Sequence, residues 1–376
     1  MTATIAYLDY NATAPIREAA AAAALDAMRI GGNPSSVHRL GRLARRAIDR
    51  SRRAVAALVG ARPDEVVFTS GGTEANAMAL GGFSGRRRIV SAIEHDSILA
   101  QPHEARIPVS ADGVVDLAAL EDLLEAPPQA AFVSVMLANN ETGVIQPVAD
   151  VVALAHARGA LVHCDAVQAA GKMAIDFAAL GVDLMSLSAH KIGGPQGVGA
   201  LIVRDGLGLT SGLVGGGQER GLRAGTENLA GIAGFGAAAE AARAEVGDWG
   251  RVAALRDDLE ARLLAAQPDL PIFGRGAARL ANTSCFAMPG VKSETQVIAF
   301  DLAGVAVSAG AACSSGKVSP SHVLRAMGAA ADVSSAAIRI SLGRGTAAAE
   351  IDRLMTVWAE VRRRAGNAAV AREPAA

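Results

Sequence analysis

Between about residues 66 and 205, short apolar runs alternate with helical segments, and this alternation limits the chain to few architectures. The apolar runs predict strands at 66–69, 88–91, 131–136, 161–164, 184–187 and 199–203. Amphipathic stretches such as 148–157 separate several of these strands. Strands that alternate with helices pair mainly in parallel and are covered by helices on both faces. The sequence therefore predicts an α/β fold around a mostly parallel sheet.

The chain has room for more than one domain, because 376 residues exceed the usual size of a single one. From 227 to 266 the pattern is helical, apart from an interruption at 247–250, and this helix is expected to bridge two domains. The remainder, roughly 267–360, mixes strands at 284–287 and 337–341 with helices. It indicates a smaller α/β domain that follows the large one.

Charge and apolar content exclude several functional classes. Lys and Arg total 36 and Asp and Glu total 37, so no excess of positive charge favours nucleic acid or an anionic membrane. The Arg-rich stretch at 39–53 is interpreted as a solvated helix face. The first residues lack a signal-peptide pattern, and no apolar stretch reaches the ~20 residues of a membrane span. We therefore expect a soluble, cytoplasmic protein.

The three cysteines are Cys164, Cys285 and Cys313. They lie far apart and form no CxxC pair, which argues against a disulfide framework and against a structural zinc site. No metal site is expected, and one reactive thiol remains possible.

Two predicted strands end near residues whose side chains could bind a cofactor or take part in catalysis. Lys191 follows the strand at 184–187, in the sequence SAHKIGGP, where it could form a Schiff base with an aldehyde cofactor. Asp165 ends the strand at 161–164, where open α/β sheets bind ligands. An acid there could keep the ring nitrogen of pyridoxal phosphate protonated. Taken singly, Lys191 could be a solvated charge and Asp165 a helix N-cap.

Two further segments fit the same chemistry. The sequence TSGGTEAN at 69–76 links a strand to a helix, and the backbone at Gly72 and the hydroxyl of Thr73 could hold a phosphate. His95 also follows a strand and could stack on a planar ring or move protons, although it could equally be an ordinary loop histidine.

The C-terminal part of the chain contributes a thiol and a cation. Cys313 lies in SAGAACSSG at 308–316, a small-residue loop suited to a nucleophile or a sulfur carrier. Arg339 lies among apolar strand residues, where a substrate carboxylate or an internal salt bridge would satisfy it.

Together these residues resemble the cysteine desulfurases of the NifS/IscS type, in the class V aminotransferase superfamily. The resemblance covers nearly the whole chain and includes the motifs GNPSSVH at 32–38, NNETG at 139–143, SAHK at 188–191 and RAGT at 223–226. It implies the fold type I of pyridoxal-phosphate enzymes, with a large domain on a seven-stranded, mostly parallel sheet. The expected boundaries are 16–250 for the large domain, and 1–15 with 251–376 for a smaller α/β domain that carries the cysteine loop.

The resemblance also implies a role for each matching residue. Lys191 would bind the cofactor covalently, Asp165 would pair with its ring nitrogen, and His95 would stack on the ring and transfer protons. Cys313 would receive the substrate sulfur. The remaining cofactor contacts would come from Gly72, Thr73, Asn140, Gln168, Ser188, His190 and, across a homodimer, Thr226. The substrate would be bound by Arg339, Asn11 and Asn140.

The implied activity converts L-cysteine to L-alanine and leaves a persulfide on Cys313. That sulfur would pass to an acceptor protein, such as an iron–sulfur scaffold, or serve the synthesis of another sulfur-containing cofactor or tRNA. Two other interpretations remain open. One is a different pyridoxal-phosphate enzyme, such as an aminotransferase or a selenocysteine lyase, and the other is a non-catalytic assembly or sulfur-carrier protein.

Overall fold

The strands predicted between residues 66 and 205 form one sheet in the computed structural model, which describes residues 5–126, 130–309 and 320–370, the last five by their backbone alone. The sheet has seven strands, and the prediction of a mostly parallel arrangement is confirmed. Its members are β2 (Val66–Thr69), β3 (Arg87–Ser91), β4 (Ala105–Ile107), β5 (Ala131–Ser134), β6 (Leu161–Asp165), β7 (Leu184–Ser188) and β8 (Gly199–Val203). Their spatial order is β2-β8-β7-β6-β5-β3-β4.

One strand departs from the parallel direction. β8 runs antiparallel to both of its neighbours, β7 and β2, whereas β7, β6, β5, β3 and β4 are parallel. β4 was not predicted, because its three residues, Ala, Arg and Ile, form no apolar run. It lies at the edge of the sheet, where a short strand is common.

Helices cover the sheet and the rest of the large unit. They are α1 (Glu18–Arg29), α2 (Arg39–Leu58), α3 (Gly72–Gly81), α4 (Asp96–Leu99), α5 (Leu117–Glu125), α6 (Val148–His156), α7 (Phe177–Leu180) and α8 (Leu229–Glu245). The strands β5 and β7 are buried along their whole length, as expected for parallel strands with helices on both faces. Helix α8 packs closely on α1 and α2. At Gly236 a Cβ would lie 2.5 Å from Ser51 Oγ, so this approach needs a glycine.

The predicted interruption of the long helix is confirmed. Helix α8 ends at Glu245, a 3-10 turn covers Val246–Asp248, and α9 (Gly250–Ala266) follows. The later helices are α10 (Ser293–Leu302), α11 (His322–Ala326), α12 (Ala331–Ser335) and α13 (Ala348–Val370).

A second sheet lies in the C-terminal part of the chain. It is antiparallel, in the order β11 (Ser308–Ala309), β12 (Ala337–Ser341) and β9 (Thr283–Ala287). The N-terminal strand β1 (Ala6–Tyr7) pairs with β10 (Val305–Ala306). One hydrophobic core joins Leu8 to Phe286, Phe300 and Trp358, and a separate core lies against the seven-stranded sheet. These cores support the domain boundaries at 16–250 and at 1–15 with 251–376, which stay a prediction.

Among the described residues, no helix combines the length and the apolar character that crossing a membrane requires.

Candidate active site

A cavity of about 380 Å³ lies at the carboxyl ends of β5, β6 and β7. This is the edge at which α/β sheets usually bind ligands, and the volume is typical of a small-molecule site. Most of the residues singled out from the sequence line it: Asn11, Gly72, Thr73, His95, Asn140, Asp165, Gln168, Ser188, His190, Lys191 and Arg339. Residues that are hundreds of positions apart in the chain therefore meet at one place.

Asp165 lies at the end of β6, where its carboxylate is nearly buried. Its Oδ1 accepts a hydrogen bond of 2.9 Å from the backbone N–H of Val167, so it also caps the following turn. Its Oδ2 accepts a hydrogen bond of 2.8 Å from the side chain of Asn76. Asp165 therefore caps a turn rather than a helix and lines the cavity, and its pairing with a cofactor ring nitrogen stays a prediction.

Asn76 connects Asp165 to His95, and sequence reasoning missed it. Its Nδ2 donates to Asp165 and also to Ser97 Oγ, at 2.8 Å each. Ser97 Oγ lies 2.8 Å from His95 Nδ1, and Ser97 N donates to the same ring nitrogen at 3.1 Å. Since Nδ1 accepts from this N–H, the neutral ring carries its proton on Nε2. The one available signal was an asparagine inside a predicted helix, a position where asparagine is disfavoured.

Lys191 lies in a 3-10 helix, Ala189–Ile192, that continues directly from β7. Its Nζ donates hydrogen bonds to the carbonyl oxygens of Asn11 at 2.6 Å and of Ala12 at 2.8 Å. The adjacent His190 contacts Thr13 Oγ1 at 3.2 Å through Nδ1. Burial, reinforced by the charge of Lys191, lowers the pKa of His190 to about 4, so this histidine is neutral near pH 7.

Gly72 begins helix α3 beside the cavity. A Cβ at this position would lie 2.9 Å from Val167 Cγ2 and 3.6 Å from the Cβ of Ser188. The first N–H groups of a helix have no partner within the helix, and its dipole favours an anion there. The absence of a side chain at Gly72 thus keeps a cradle open at the start of the helix.

Arg339, on β12, is buried, and one of its three guanidinium nitrogens has no partner among the described residues. Its Nη2 pairs with Asp9 Oδ1 at 2.7 Å, and its Nη1 donates to the carbonyl of Asn140 at 3.1 Å. Its Nε has no partner within the described part of the chain. The salt bridge considered from the sequence is therefore present, with Asp9 as a partner that the sequence did not reveal. The buried Nε leaves a donor for a further acidic group.

Asn11 lines the cavity, and its side-chain amide is hydrogen-bonded to other residues of the chain. Nδ2 donates to Asn140 O at 3.2 Å and to Thr283 Oγ1 at 2.9 Å. Oδ1 accepts from Asn282 Nδ2 at 3.0 Å and from Lys172 Nζ at 2.8 Å. A substrate contact from this amide would require the exchange of one of these partners, so its predicted role in substrate binding stays a prediction.

The three cysteines occupy different settings. Cys164 and Cys285 are fully buried, and burial raises the pKa of both thiols well above its usual range, so neither provides a thiolate. Cys313 lies outside the described residues. On one side of that gap, Ser308 Oγ donates to Asp9 Oδ2 at 2.9 Å. On the other side, Ser321 Oγ donates to Glu141 Oε2 at 2.6 Å. Asp9 pairs with the cavity residue Arg339, and Glu141 follows the cavity residue Asn140, so the segments before and after Cys313 are both tied to the edge of the cavity.

Thr226 does not line the cavity of this chain. It is exposed, in the turn that precedes α8. The same turn is tied to the first helical turn of α3, because Arg223 Nε pairs with Glu74 Oε1 at 2.8 Å. Its predicted contact with the phosphate of a neighbouring subunit stays a prediction.

Glu94 is a buried acid beside the site that the sequence did not single out. Burial, with a smaller contribution from the charge of Asp165, raises its pKa to about 8. Hydrogen bonds from Ser91 Oγ and from the N–H of Met136 oppose this shift. Near pH 7 the side chain is therefore mostly protonated.

Glu94→Gln is expected to weaken the pH dependence of stability. The folded state holds the proton of Glu94 up to about pH 8, whereas the unfolded state loses it near the ordinary value. The contribution of Glu94 to the free energy of unfolding is therefore fully present below the ordinary pKa of a glutamate. It is lost as the pH rises through about 8. Its size is on the order of 5 kcal/mol. The denaturation midpoints at pH 5 and pH 9 should differ less in the variant than in the wild type. The same pH dependence in both proteins would contradict the raised pKa of Glu94.

Comparisons with known proteins show what the chain is similar to. The aminotransferase class-V family matches residues 6–354. A cysteine desulfurase of Cereibacter sphaeroides is 47% identical, over 93% of this chain and 94% of its own length. An IscS-like cysteine desulfurase of Mycobacterium tuberculosis is 38% identical, with 98% of each chain covered. The X-ray structure of a NifS-like protein from Rickettsia africae is 35% identical, covers 95% of this chain and 99% of its own, and has a TM-score of 0.89.

The fold, the cavity and the comparisons point to one assignment. The family model and the relatives each match most of the chain. The resemblance seen in the sequence is therefore confirmed. The chain belongs to the class-V aminotransferase family, among the cysteine desulfurases of the NifS/IscS type.

Proposed function

We propose that this protein is a pyridoxal-phosphate-dependent cysteine desulfurase that converts L-cysteine to L-alanine and transfers the sulfur to Cys313 as a persulfide. The observation that carries the proposal is the arrangement of Lys191, Asp165 and His95 around one cavity, together with the buried cation of Arg339. Each of these groups meets a different chemical need of the reaction.

The residues present fit pyridoxal phosphate. The cradle that a Cβ at Gly72 would fill suits a phosphate, and Thr73, Ser188 and His190 line the cavity as further contacts. Asp165 supplies a carboxylate for the ring nitrogen, Gln168 an amide for the ring hydroxyl, and Lys191 an amine for the aldehyde. When bound, the cofactor supplies an electron sink that stabilises negative charge on the substrate carbon.

The chain's own groups would hold and move protons. Asp165, fixed by Asn76 and by the N–H of Val167, would keep a proton on the ring nitrogen. Lys191 would remove the proton from the substrate Cα, since a positioned amine can act as a general base. His95, oriented by Ser97, presents Nε2 for proton transfer and its ring face for stacking.

The sulfur step needs a thiolate, and Cys313 would provide it. Its sulfur would attack the sulfur of the substrate, so that an S–S bond forms while the Cβ–S bond breaks. The electron pair left on the substrate carbon is protonated, and cysteine becomes alanine without an external oxidant. The burial of Cys164 and Cys285 leaves Cys313 as the cysteine that can take this role.

Arg339 and Asn140 would orient the substrate carboxylate. A guanidinium binds a carboxylate through two parallel hydrogen bonds, which an ammonium cannot reproduce. Arg339→Lys is therefore expected to lower kcat/KM for L-cysteine about 10- to 100-fold, mainly through KM. Initial rates of alanine formation measure this effect. The exposed Arg243, changed to Lys, is the matched control, and an unchanged KM in Arg339→Lys would contradict the role.

The protein would act as a homodimer and deliver sulfur to an acceptor. The helices α1 and α2 expose Leu25, Met28, Leu40 and Leu43, which supports a surface for a second copy of the chain. Thr226 would then reach the phosphate of the neighbouring site. We propose a cytoplasmic location and an acceptor protein such as an iron–sulfur scaffold, in line with the IscS-like relative.

Loading the protein with pyridoxal phosphate tests the proposal. A yellow protein should form, and borohydride reduction should attach the cofactor permanently to the peptide that contains Lys191. Added L-cysteine should then yield alanine. A protein that binds no cofactor would favour a non-catalytic role. Keto-acid formation would favour an aminotransferase, and turnover of selenocysteine alone would favour a selenocysteine lyase.

A further inference from the structure

Lys172 is a buried amine close to the cavity that has no place in the chemistry above. It lies in the turn that follows β6 and is only 6% exposed. Its Nζ donates to Asn11 Oδ1 and to Gln168 Oε1, at 2.8 Å each. Both acceptors belong to carboxamides that line the cavity.

The surroundings of Lys172 favour the neutral amine. Burial, together with the nearby charges of Lys191 and Arg339, lowers its pKa well below the usual range. The acceptors of its two hydrogen bonds are uncharged carboxamide oxygens. The contacts therefore describe a hydrogen-bonding role and not an ion pair.

The hydrogen bonds from Lys172 favour one orientation of each carboxamide, in which the oxygen atom faces the amine. The oxygen and nitrogen of an amide are nearly equal in size, so only hydrogen-bonding partners distinguish the two orientations. In Gln168, Oε1 faces Lys172 while Nε2 donates to the carbonyl of Asn11 at 2.9 Å. This orientation leaves the second N–H of Nε2 for a group in the cavity.

The same network reaches Lys191. The carbonyl oxygen of Asn11, which accepts from Gln168, also accepts from Lys191 Nζ at 2.6 Å. Lys172 further holds the Asn11 side chain through Oδ1. A change at Lys172 would therefore be transmitted to Gln168, to Asn11 and to the carbonyl that holds Lys191.

We infer that Lys172 is a positioning residue, which acts with the other hydrogen-bond partners of Gln168 and Asn11 to fix the orientation of these carboxamides, so that Gln168 presents an N–H to the ring hydroxyl of the cofactor. This inference rests on the cofactor site proposed above. A donor at the ring oxygen stabilises its deprotonated form and so lowers the proton affinity of the covalent link between Lys191 and the cofactor.

The test is a pH titration of the visible absorption of the cofactor-loaded protein. Lys172→Met should allow the Gln168 amide to turn, and the midpoint should rise by about one pH unit, the scale of one lost charge-assisted hydrogen bond. Gln168→Leu should raise the titration midpoint by a similar amount. The double variant should show no further rise, because both changes remove the same hydrogen bond.

Lys172→Gln is the conservative variant, because its amide can still donate to Gln168 Oε1. Its midpoint should remain at the wild-type value, which makes it a test of its own if Lys172→Met does not fold. The inference is overturned if Lys172→Met leaves the titration midpoint unchanged, or if the double variant shows the sum of the two single shifts. It is also overturned if Lys172→Gln moves the midpoint as far as Gln168→Leu does. If the wild-type protein gains no visible band at all, the proposed cofactor site is wrong instead.

Discussion

Lys191→Ala is expected to abolish turnover of L-cysteine, with kcat lowered on the order of 10⁴-fold. The variant loses both the amine that binds the cofactor and the base that removes the substrate proton. Lys172 cannot replace it, because Lys172 is not among the residues that line the cavity. Alanine formation and the visible absorption band measure the two losses independently.

The matched control for Lys191→Ala is Lys292→Ala, which removes an exposed lysine at the start of α10. It should retain wild-type activity and absorption. Normal alanine formation by Lys191→Ala would place the essential amine elsewhere and would contradict the assignment of this cavity as the active site.

Cys313→Ser should lower the steady-state formation of alanine roughly 10³-fold or more, since a hydroxyl is a poor acceptor for sulfur. Cofactor binding should be unaffected, because the residues that hold the cofactor are intact. The visible band of the variant should therefore match that of the wild type, while addition of L-cysteine should produce little alanine.

Cys285→Ala provides the matched control for the thiol. Cys285 is fully buried in β9, and burial raises the pKa of its thiol far above neutrality. Its replacement should cost some stability but leave turnover in place. If Cys313→Ser retained normal turnover, or if Cys285→Ala lost it, the assignment of Cys313 as sulfur acceptor would be wrong.

The central sheet and much of the site could be predicted from the sequence because the relevant signals are local. An apolar run that ends in a polar residue predicts both a strand and the edge at which that residue lies. Asp165 and Lys191 could therefore be assigned to one place, since the carboxyl ends of parallel strands meet at one edge. The small-residue turn at Gly72 gave a further local signal.

The partners of these residues could not be predicted, because they depend on contacts between distant parts of the chain. Asn76 bonds to Asp165 across 89 positions, and Asp9 pairs with Arg339 across 330 positions. No local pattern distinguishes Asp9 from a solvated polar side chain, and the one local signal at Asn76 was its place inside a helix. Lys172 follows no strand directly, and only the folded chain shows that its amine is buried between two carboxamides.

Mass spectrometry after a single turnover tests the central proposal most directly. The cofactor-loaded protein would be mixed with one equivalent of L-cysteine, and both free alanine and the peptide that contains Cys313 would be measured. We expect one alanine per reacted site and one additional sulfur atom on Cys313, which a reductant removes. Alanine without added sulfur on Cys313, or added sulfur without alanine, would contradict the proposed transfer.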